Sequence, residues 1–514
     1  MTGAESLLQT ALDAGVDTCF ANPGTTEMDL VAALDTTEGA RTILGLFEGV
    51  VTGMADGYAR MTGRPAMTLL HLGVGLGNGI ANIHNARRAQ SAMINLVGDH
   101  PGEHLPYNAP LTSDIATMAK PVSRWVRTSE STNAIAADMA EAIVTTTGPP
   151  GKIATLITPS DVMRDPCATG PAALPSAPST PVDGAAVERC VEALRGDEPV
   201  ALLLGGQAVH AEGLVAAHRV AHAAGCSVLS DCFPGRLDRG AGLPPVERVP
   251  YFPEMILKRL NDFRYLILAG ARAPVSFFKY KEYPSSVVPE GCEVIELAST
   301  AVNPVPSLET LAEALGAAAG AHDRVELKVP PKPSGELTSR TCGQTIAATL
   351  PEHAIIADES ATSGGSTYYL TQTCAPHCLM ALTGGGIGWG LPAATGAAVA
   401  CPGRPVLALQ GDGGGMYTPQ ALWTQAREGL EVTNVVFSNR KYQILQVELG
   451  RAGIDKPGPM ATSLTELNNP PIDWAGLAKS LGVPSFKPAS AGELYGQLQT
   501  AYEEPGPHLI EVEL

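Results

Sequence analysis

The chain predicts an α/β protein built from three consecutive doubly wound parallel-sheet domains. Three observations carry this. Short apolar runs of strand length alternate with helical stretches from end to end. Two Pro-rich segments, 165–184 and 329–337, interrupt the alternation and read as linkers. The length of 514 residues calls for more than one core. The expected domains are therefore 1–164, 185–328 and 338–514.

In the first domain, Ala4 to Ala14 has helical apolar spacing, and Gly15 ends it. Val16 to Phe20 reads as a strand. Asn22-Pro-Gly-Thr25-Thr26-Glu27 is a turn entering a helix, with Thr25 or Thr26 as its cap. Thr42 to Leu46 is a second strand. Glu48 then opens a helix ending near Thr62, with Val51, Ala55 and Tyr58 as a buried stripe. A first-turn Glu sits where the helix dipole favours an anion. Met67 to Leu70 is a strand, followed by His71 and a glycine loop, Gly73 to Gly79. That loop imitates a dinucleotide fingerprint, but no acidic residue follows in the right context, so a nicotinamide reading is weak. Ala92 to Val97 closes the domain.

The middle domain has strands at Pro199–Leu204, Cys226–Leu229, Tyr265–Leu268 and Glu293–Leu297, with few acid/base residues at their ends. It reads as a spacer. In the third domain, the apolar run Val406 to Leu409 stops at Gly411-Asp412-Gly413. A helix follows from Thr418 to Glu428, and the run Val432 to Phe437 stops at Ser438-Asn439. Asp412 and Asn439 thus fall at the carboxyl tips of two parallel strands, where open α/β sheets bind ligands. A carboxylate and an amide oxygen are hard donors that suit Mg²⁺. The glycines let backbone approach a diphosphate.

Composition narrows the partners. A net charge of −18 argues against nucleic acid and acidic membranes. Leu379 to Gly403 lacks charge, but its glycines and prolines argue against a membrane span. Ten scattered cysteines without a secretory signal imply a reduced, cytoplasmic protein. His218 and His222, one helical turn apart, read as a solvated helix face.

The Gly-Asp412-Gly motif with Asn439 after the next strand resembles the thiamine diphosphate (ThDP) signature. Phe47-Glu48-Gly-Val-Val-Thr-Gly-Met-Ala-Asp-Gly57-Tyr58-Ala59-Arg60 resembles that family's catalytic glutamate and its GYAR ending. The resemblance spans nearly the whole chain and is to the group of acetolactate synthase, pyruvate oxidase and benzoylformate decarboxylase. It implies a pyrimidine-binding first domain, a Rossmann-like middle domain and a diphosphate-binding third domain. The active site would lie between the first domain of one subunit and the third of its partner, so a homodimer at least is implied and a homotetramer is expected.

By this resemblance, Glu48 hydrogen-bonds the aminopyrimidine and promotes formation of the carbanion that attacks a 2-oxo acid. Asp412, Asn439 and the backbone oxygen of Lys441 match the Mg²⁺ ligands. Ala361, Thr362, Gly413, Gly414 and Tyr442 fall where the family contacts diphosphate. Gly385 matches the backbone oxygen that receives the cofactor's amino group, and Ile387 the wedge that bends the cofactor. Asn-Pro-Gly-Thr25, Leu70-His71 and Asn78 resemble the substrate side of benzoylformate decarboxylase. Its second histidine has no match; the nearest position is Lys279. Ser438-Asn-Arg-Lys-Tyr-Gln-Ile-Leu resembles the synthase-like members instead. FAD is unsupported. The implied activity is that of an acetolactate synthase-like 2-oxo acid decarboxylase or carboligase, in which the acyl carbanion formed on ThDP is ligated or protonated. A simple benzoylformate-type decarboxylase, a lyase acting on 2-hydroxyacyl compounds or aldehydes, and a non-catalytic ThDP-binding regulator stand as alternatives.

Overall fold

The computed structural model describes residues 1–175 and 180–514, so residues 176–179 of the expected 165–184 linker lie outside the described residues. The chain forms two compact units. One comprises Met1–Ala177, Val329–Thr371 and Leu382–Leu514; the other comprises Pro178–Lys328 and Gln372–Ala381.

The first unit holds two parallel sheets. The amino-terminal one uses β1 (Thr18–Asn22), β2 (Arg41–Leu44), β3 (Ala66–Leu70), β4 (Met93–Asp99), β5 (Trp125–Thr128) and β6 (Ile153–Pro159), in the order β2-β1-β3-β4-β6-β5. Every pairing in it is parallel. Its central strands β3, β4 and β6 are buried along their whole length, as parallel strands covered on both faces must be. The second unit has β7 (Val200–Leu204), β8 (Ser227–Ser230), β9 (Leu237–Arg239), β10 (Glu247–Arg248), β11 (Tyr265–Ala269) and β12 (Glu293–Ala298). Five of these form a parallel sheet ordered β10-β8-β7-β11-β12. The remaining one, β9, pairs antiparallel with β14 (His377–Ala381), a departure from the all-parallel expectation. Back in the first unit, β13 (Ile355–Glu359), β15 (Val406–Gly411), β16 (Val432–Ser438), β17 (Ser485–Phe486) and β18 (His508–Glu513) run parallel in the order β17-β18-β16-β15-β13.

The helices follow the capping chemistry of their sequences. Gly3–Asp13 starts with a capping box between Thr2 and Glu5. Glu48–Thr62 ends at Gly63 with φ of 67°. Two expectations are corrected. The Gly73–Gly79 stretch is not a loop: it lies inside the helix Leu72–Ala89. Its glycines are there for contact, since a Cβ on Gly75 would lie 2.9 Å from Glu48 Oε1 and one on Gly79 2.9 Å from Thr52 Cγ2. His218 is not solvated. It is 5% exposed and its Nε2 lies 2.7 Å from the Pro245 carbonyl.

The helix Gly390–Ala400 lies within the uncharged Leu379–Gly403 stretch. Among the described residues no helix is long and apolar enough to cross a membrane. This helix instead packs backbone to backbone on Glu48–Thr62. A Cβ on Gly57 would fall well inside 3.0 Å of the Ala393 carbonyl, and one on Gly396 equally close to that of Met54. Neither obstacle is a flexible side-chain end. Gly396→Ala is therefore expected to destabilise the chain by about 3 kcal/mol, measurable in a urea melt. Gly403→Ala differs in kind: no atom lies within 4 Å of the added Cβ, and any cost there comes from its φ of +79° alone.

Candidate active site

Glu48 begins its helix at the end of a short extended entry through Phe47, which places the carboxylate on the first turn. The residue is 7% exposed. Asn78 Nδ2 donates to Glu48 Oε2 at 2.9 Å. The Thr52 hydroxyl lies 3.0 Å from the Glu48 carbonyl and 3.1 Å from that of Gly79, fastening this helix to Leu72–Ala89. Glu48 and Asn78, singled out separately in the sequence, are thus brought together.

Thr25 and His71 flank a residue that the sequence reading passed over. Thr25–Glu27 is a single 3₁₀ turn with no side-chain cap, so neither threonine caps a helix as expected. Glu27 organises the turn instead. Its side chain is 1% exposed; Oε2 accepts from the Gly24 N–H at 2.7 Å, and Oε1 accepts from the Thr26 hydroxyl at 2.6 Å. Oε2 also lies 2.8 Å from His71 Nδ1. A carboxylate can only accept, so Nδ1 carries the proton in this contact. In the neutral ring Nε2 then keeps its lone pair, free to take or return a proton. Gly24 is required because a side chain there would collide with the His71 ring. The signal was available: an acid directly after Asn-Pro-Gly-Thr-Thr. Thr25 itself is exposed beside this pair.

Glu27→Ala is expected to remove the acceptor that holds the Nδ1 proton, release the ring from a single tautomer and cut turnover by about 10- to 100-fold. The pH profile of kcat should shift with it. Unchanged kcat and an unchanged profile would remove Glu27 from control of the imidazole.

Elsewhere in the first unit, β15 and β16 are register neighbours, with Gly411 opposite Phe437. Asp412 and Asn439 therefore emerge side by side. Asp412 is 3% exposed; its Oδ1 accepts from the Gly413 N–H at 2.9 Å and its Oδ2 from the Arg440 N–H at 2.7 Å. Burial pushes its carboxyl pKa up, and these two N–H bonds pull against that. Asn439 Nδ2 donates to Ser363 Oγ at 3.0 Å, which fixes the amide's orientation, while Oδ1 accepts from the Lys441 N–H at 3.1 Å. The loop is pinned from outside by Tyr442 N–H to the Thr465 carbonyl and Leu467 N–H to the Arg440 carbonyl, both at 2.7 Å. A Cβ on Gly413 would strike the Tyr442 ring. Ala361 holds the left-handed region at φ of 47°, and both it and Thr362 are exposed. Gly414, Gly385 (φ 76°, exposed) and half-buried Ile387 complete the predicted set.

These residues fit a magnesium diphosphate. The donors are hard oxygens at adjacent strand tips, and a bound cation would favour the ionised form of Asp412. Gly413 is tightly enclosed, which leaves bare backbone beside Asp412. Lys279 lies in the other unit, where its Nζ donates to the Tyr280 and Tyr283 carbonyls of its own loop.

Glu359, also unflagged, shapes the loop that bears Gly385. It is buried, and its carboxylate accepts from the Gly388, Trp389 and Gly390 N–H groups at 2.7, 2.6 and 2.6 Å. Burial pushes its pKa up, opposed by these same bonds. It thereby satisfies the first orphan donor of Gly390–Ala400 and the two N–H groups that lead into it.

Comparison with known proteins meets the same two regions. Residues 1–118 match the family description "Thiamine pyrophosphate enzyme, N-terminal TPP binding domain". Residues 362–512 match "Thiamine pyrophosphate enzyme, C-terminal TPP binding domain". The chain is 47% identical over 514 residues to the Mycobacterium tuberculosis protein named "Putative acetolactate synthase large subunit IlvX", covering 100% of this chain and 99% of that one. It is 30% identical over 535 residues to benzoylformate decarboxylase of Pseudomonas aeruginosa, covering 97% and 96%. The solved structure of a thiamine diphosphate-dependent 4-hydroxybenzoylformate decarboxylase from Rhodococcus jostii RHA1 shares the fold, with a TM-score of 0.86, 22% identity and coverage of 100% and 99%. With both matched regions carrying the clusters built above, the chain belongs to the thiamine pyrophosphate enzymes, related to acetolactate synthase and benzoylformate decarboxylase.

Proposed function

We propose that this enzyme is a ThDP- and Mg²⁺-dependent 2-oxo acid decarboxylase and carboligase of the acetolactate synthase-like kind. It works in the cytoplasm as a homodimer at least, with residues 1–164 and 338–514 handling the cofactor and 185–328 acting as spacer. The single observation that carries this reading is the buried Glu48 carboxylate, oriented by Asn78 at a helix start.

Asp412, Asn439 and the Lys441 carbonyl would hold Mg²⁺, with Ala361, Thr362, Gly413, Gly414 and Tyr442 around the diphosphate. Gly385 would offer its carbonyl and Ile387 its side chain to the organic part. When bound, ThDP supplies an electron sink for the carbon–carbon bond that breaks. Glu48 accepts one hydrogen bond from Asn78 and has a second oxygen with which to hold a proton against the cofactor. His71, with Nδ1–H committed to Glu27, exchanges a proton at Nε2 with the substrate's oxygen or carbon. Thr25, at the exposed edge of the same turn, faces incoming substrate.

His71 and the benzoylformate decarboxylase relative favour a second reading, simple decarboxylation of an aryl 2-oxo acid. Purified protein given pyruvate or benzoylformate should release CO₂ only when ThDP and Mg²⁺ are both present. Acetolactate as product supports the first reading, and free aldehyde the second. No turnover across a panel of 2-oxo acids would sink both.

A further inference from the structure

The Gly384–Gly388 loop is held by two asparagines of the helix Leu72–Ala89, and neither belongs to the motifs that led to this site. Asn85 is fully buried. Its Oδ1 accepts from the Gly386 N–H at 3.1 Å and its Nδ2 donates to the Gly386 carbonyl at 2.7 Å. Nδ2 also donates to Asn82 Oδ1 at 2.9 Å. Asn82 in turn donates to the Gly49 carbonyl at 2.8 Å and the Gly388 carbonyl at 3.2 Å. Each amide oxygen and nitrogen has one consistent assignment in this chain of bonds, since reversing either would face donor to donor or acceptor to acceptor.

The consequence follows from peptide planarity. The Gly386 N–H and the Gly385 carbonyl belong to one trans peptide unit and point in opposite directions. An acceptor fixed on the N–H therefore aims the Gly385 oxygen away from Asn85. Because the Gly386 carbonyl is held as well, the next peptide cannot swing to relieve a misplacement. Gly384 has no room for a side chain, as a Cβ would lie 2.5 Å from Asn85 Oδ1. Gly385, at φ of 76°, is exposed and is not what the clamp grips.

We propose that Asn85 is a positioning residue for the cofactor's amino group: its side-chain amide clamps the Gly386 peptide and thereby directs the Gly385 carbonyl. This rests on the ThDP reading above. The contact touches neither Mg²⁺ nor diphosphate, so its loss has a distinct signature. It removes the preference for a cofactor bearing the 4′-amino group and leaves diphosphate anchoring in place.

The test is calorimetric titration of the full-length apo-protein, with Mg²⁺ in excess, by ThDP and by its analogue with hydrogen in place of the 4′-amino group. Wild type should prefer ThDP by about tenfold, the range of one well-made hydrogen bond. In Asn85→Ala, which removes both contacts to the Gly386 peptide, the preference should fall to about onefold while affinity for the analogue changes little; Asn85→Asp, which keeps the acceptor on the Gly386 N–H and loses only the donor to its carbonyl, should show an intermediate preference. Thr383→Val is the control. It loosens the same loop by removing the hydroxyl that donates to the Asn85 carbonyl at 2.7 Å, yet leaves the clamp intact, so its preference should persist. Equal loss of affinity for both ligands in the Asn85 variants, or an unchanged preference, overturns the proposal while leaving ThDP as cofactor. Wild type that binds neither ligand overturns the cofactor reading and the proposal together.

Discussion

Glu48→Gln is expected to lower turnover by about 10²- to 10⁴-fold, the usual contribution of a positioned general acid–base group, with the Kd for ThDP changing only slightly. The substitution keeps length and shape. Asn78 can still donate to the amide oxygen, and the Thr52 bonds to the Glu48 and Gly79 carbonyls involve backbone. What disappears is the capacity to hold and release a proton. Because Glu48 is 7% exposed, water is poorly placed to substitute. Steady-state kinetics beside calorimetric cofactor binding separate the two quantities. Full turnover in the variant would remove Glu48 from the chemistry; loss of binding with turnover would reassign it to anchoring.

Asp412→Ala should produce the opposite pattern, with Mg²⁺-dependent affinity for ThDP reduced by about 100-fold or more. Outer partners of a metal site cost about 10- to 100-fold when removed, and a direct ligand should exceed that. Loss of the acceptor adds to it: the Gly413 and Arg440 N–H groups are left without Asp412 as partner, and for Arg440, held at φ of 59°, this is the bond that keeps the loop in its left-handed turn. Activity should partly return at high cofactor and metal concentration. A variant that binds ThDP as tightly as wild type would show that the metal is held elsewhere. Circular dichroism guards against simple unfolding.

The strand–helix alternation and the tips bearing Asp412 and Asn439 were legible because buried parallel strands leave uninterrupted apolar runs that end in glycine or asparagine. Glu48 was legible only through the resemblance of the Phe47–Arg60 segment to the family's motif, since a Glu at a helix start is by itself ordinary. Other features were not, for identifiable reasons. The Gly73–Gly79 stretch reads as a loop by propensity, and only its tight packing on Glu48–Thr62 makes it helical. Glu27 belongs to the site through a partner in another element, His71, which spacing cannot reveal. The antiparallel β9–β14 pair is likewise a long-range event between short segments. Asp56 and Arg60 had a local signal, since charges four apart on a helix pair readily. Their bond at 2.6 Å is buried, and Asp56 also accepts from Trp389 Nε1 at 2.6 Å, which no local pattern announces.

If Glu48 of one copy serves the Asp412–Asn439 cluster of another, as we propose, subunit complementation reveals it most directly. Glu48→Gln and Asp412→Ala homomers are each expected to be nearly inactive at limiting cofactor. When the two variants are co-expressed and mixed oligomers are purified through separate tags, each pair should contain one site with neither defect. Activity well above either parent is the predicted result. Mixed oligomers as inactive as the parents would mean that both residues act within a single chain, contradicting the shared site.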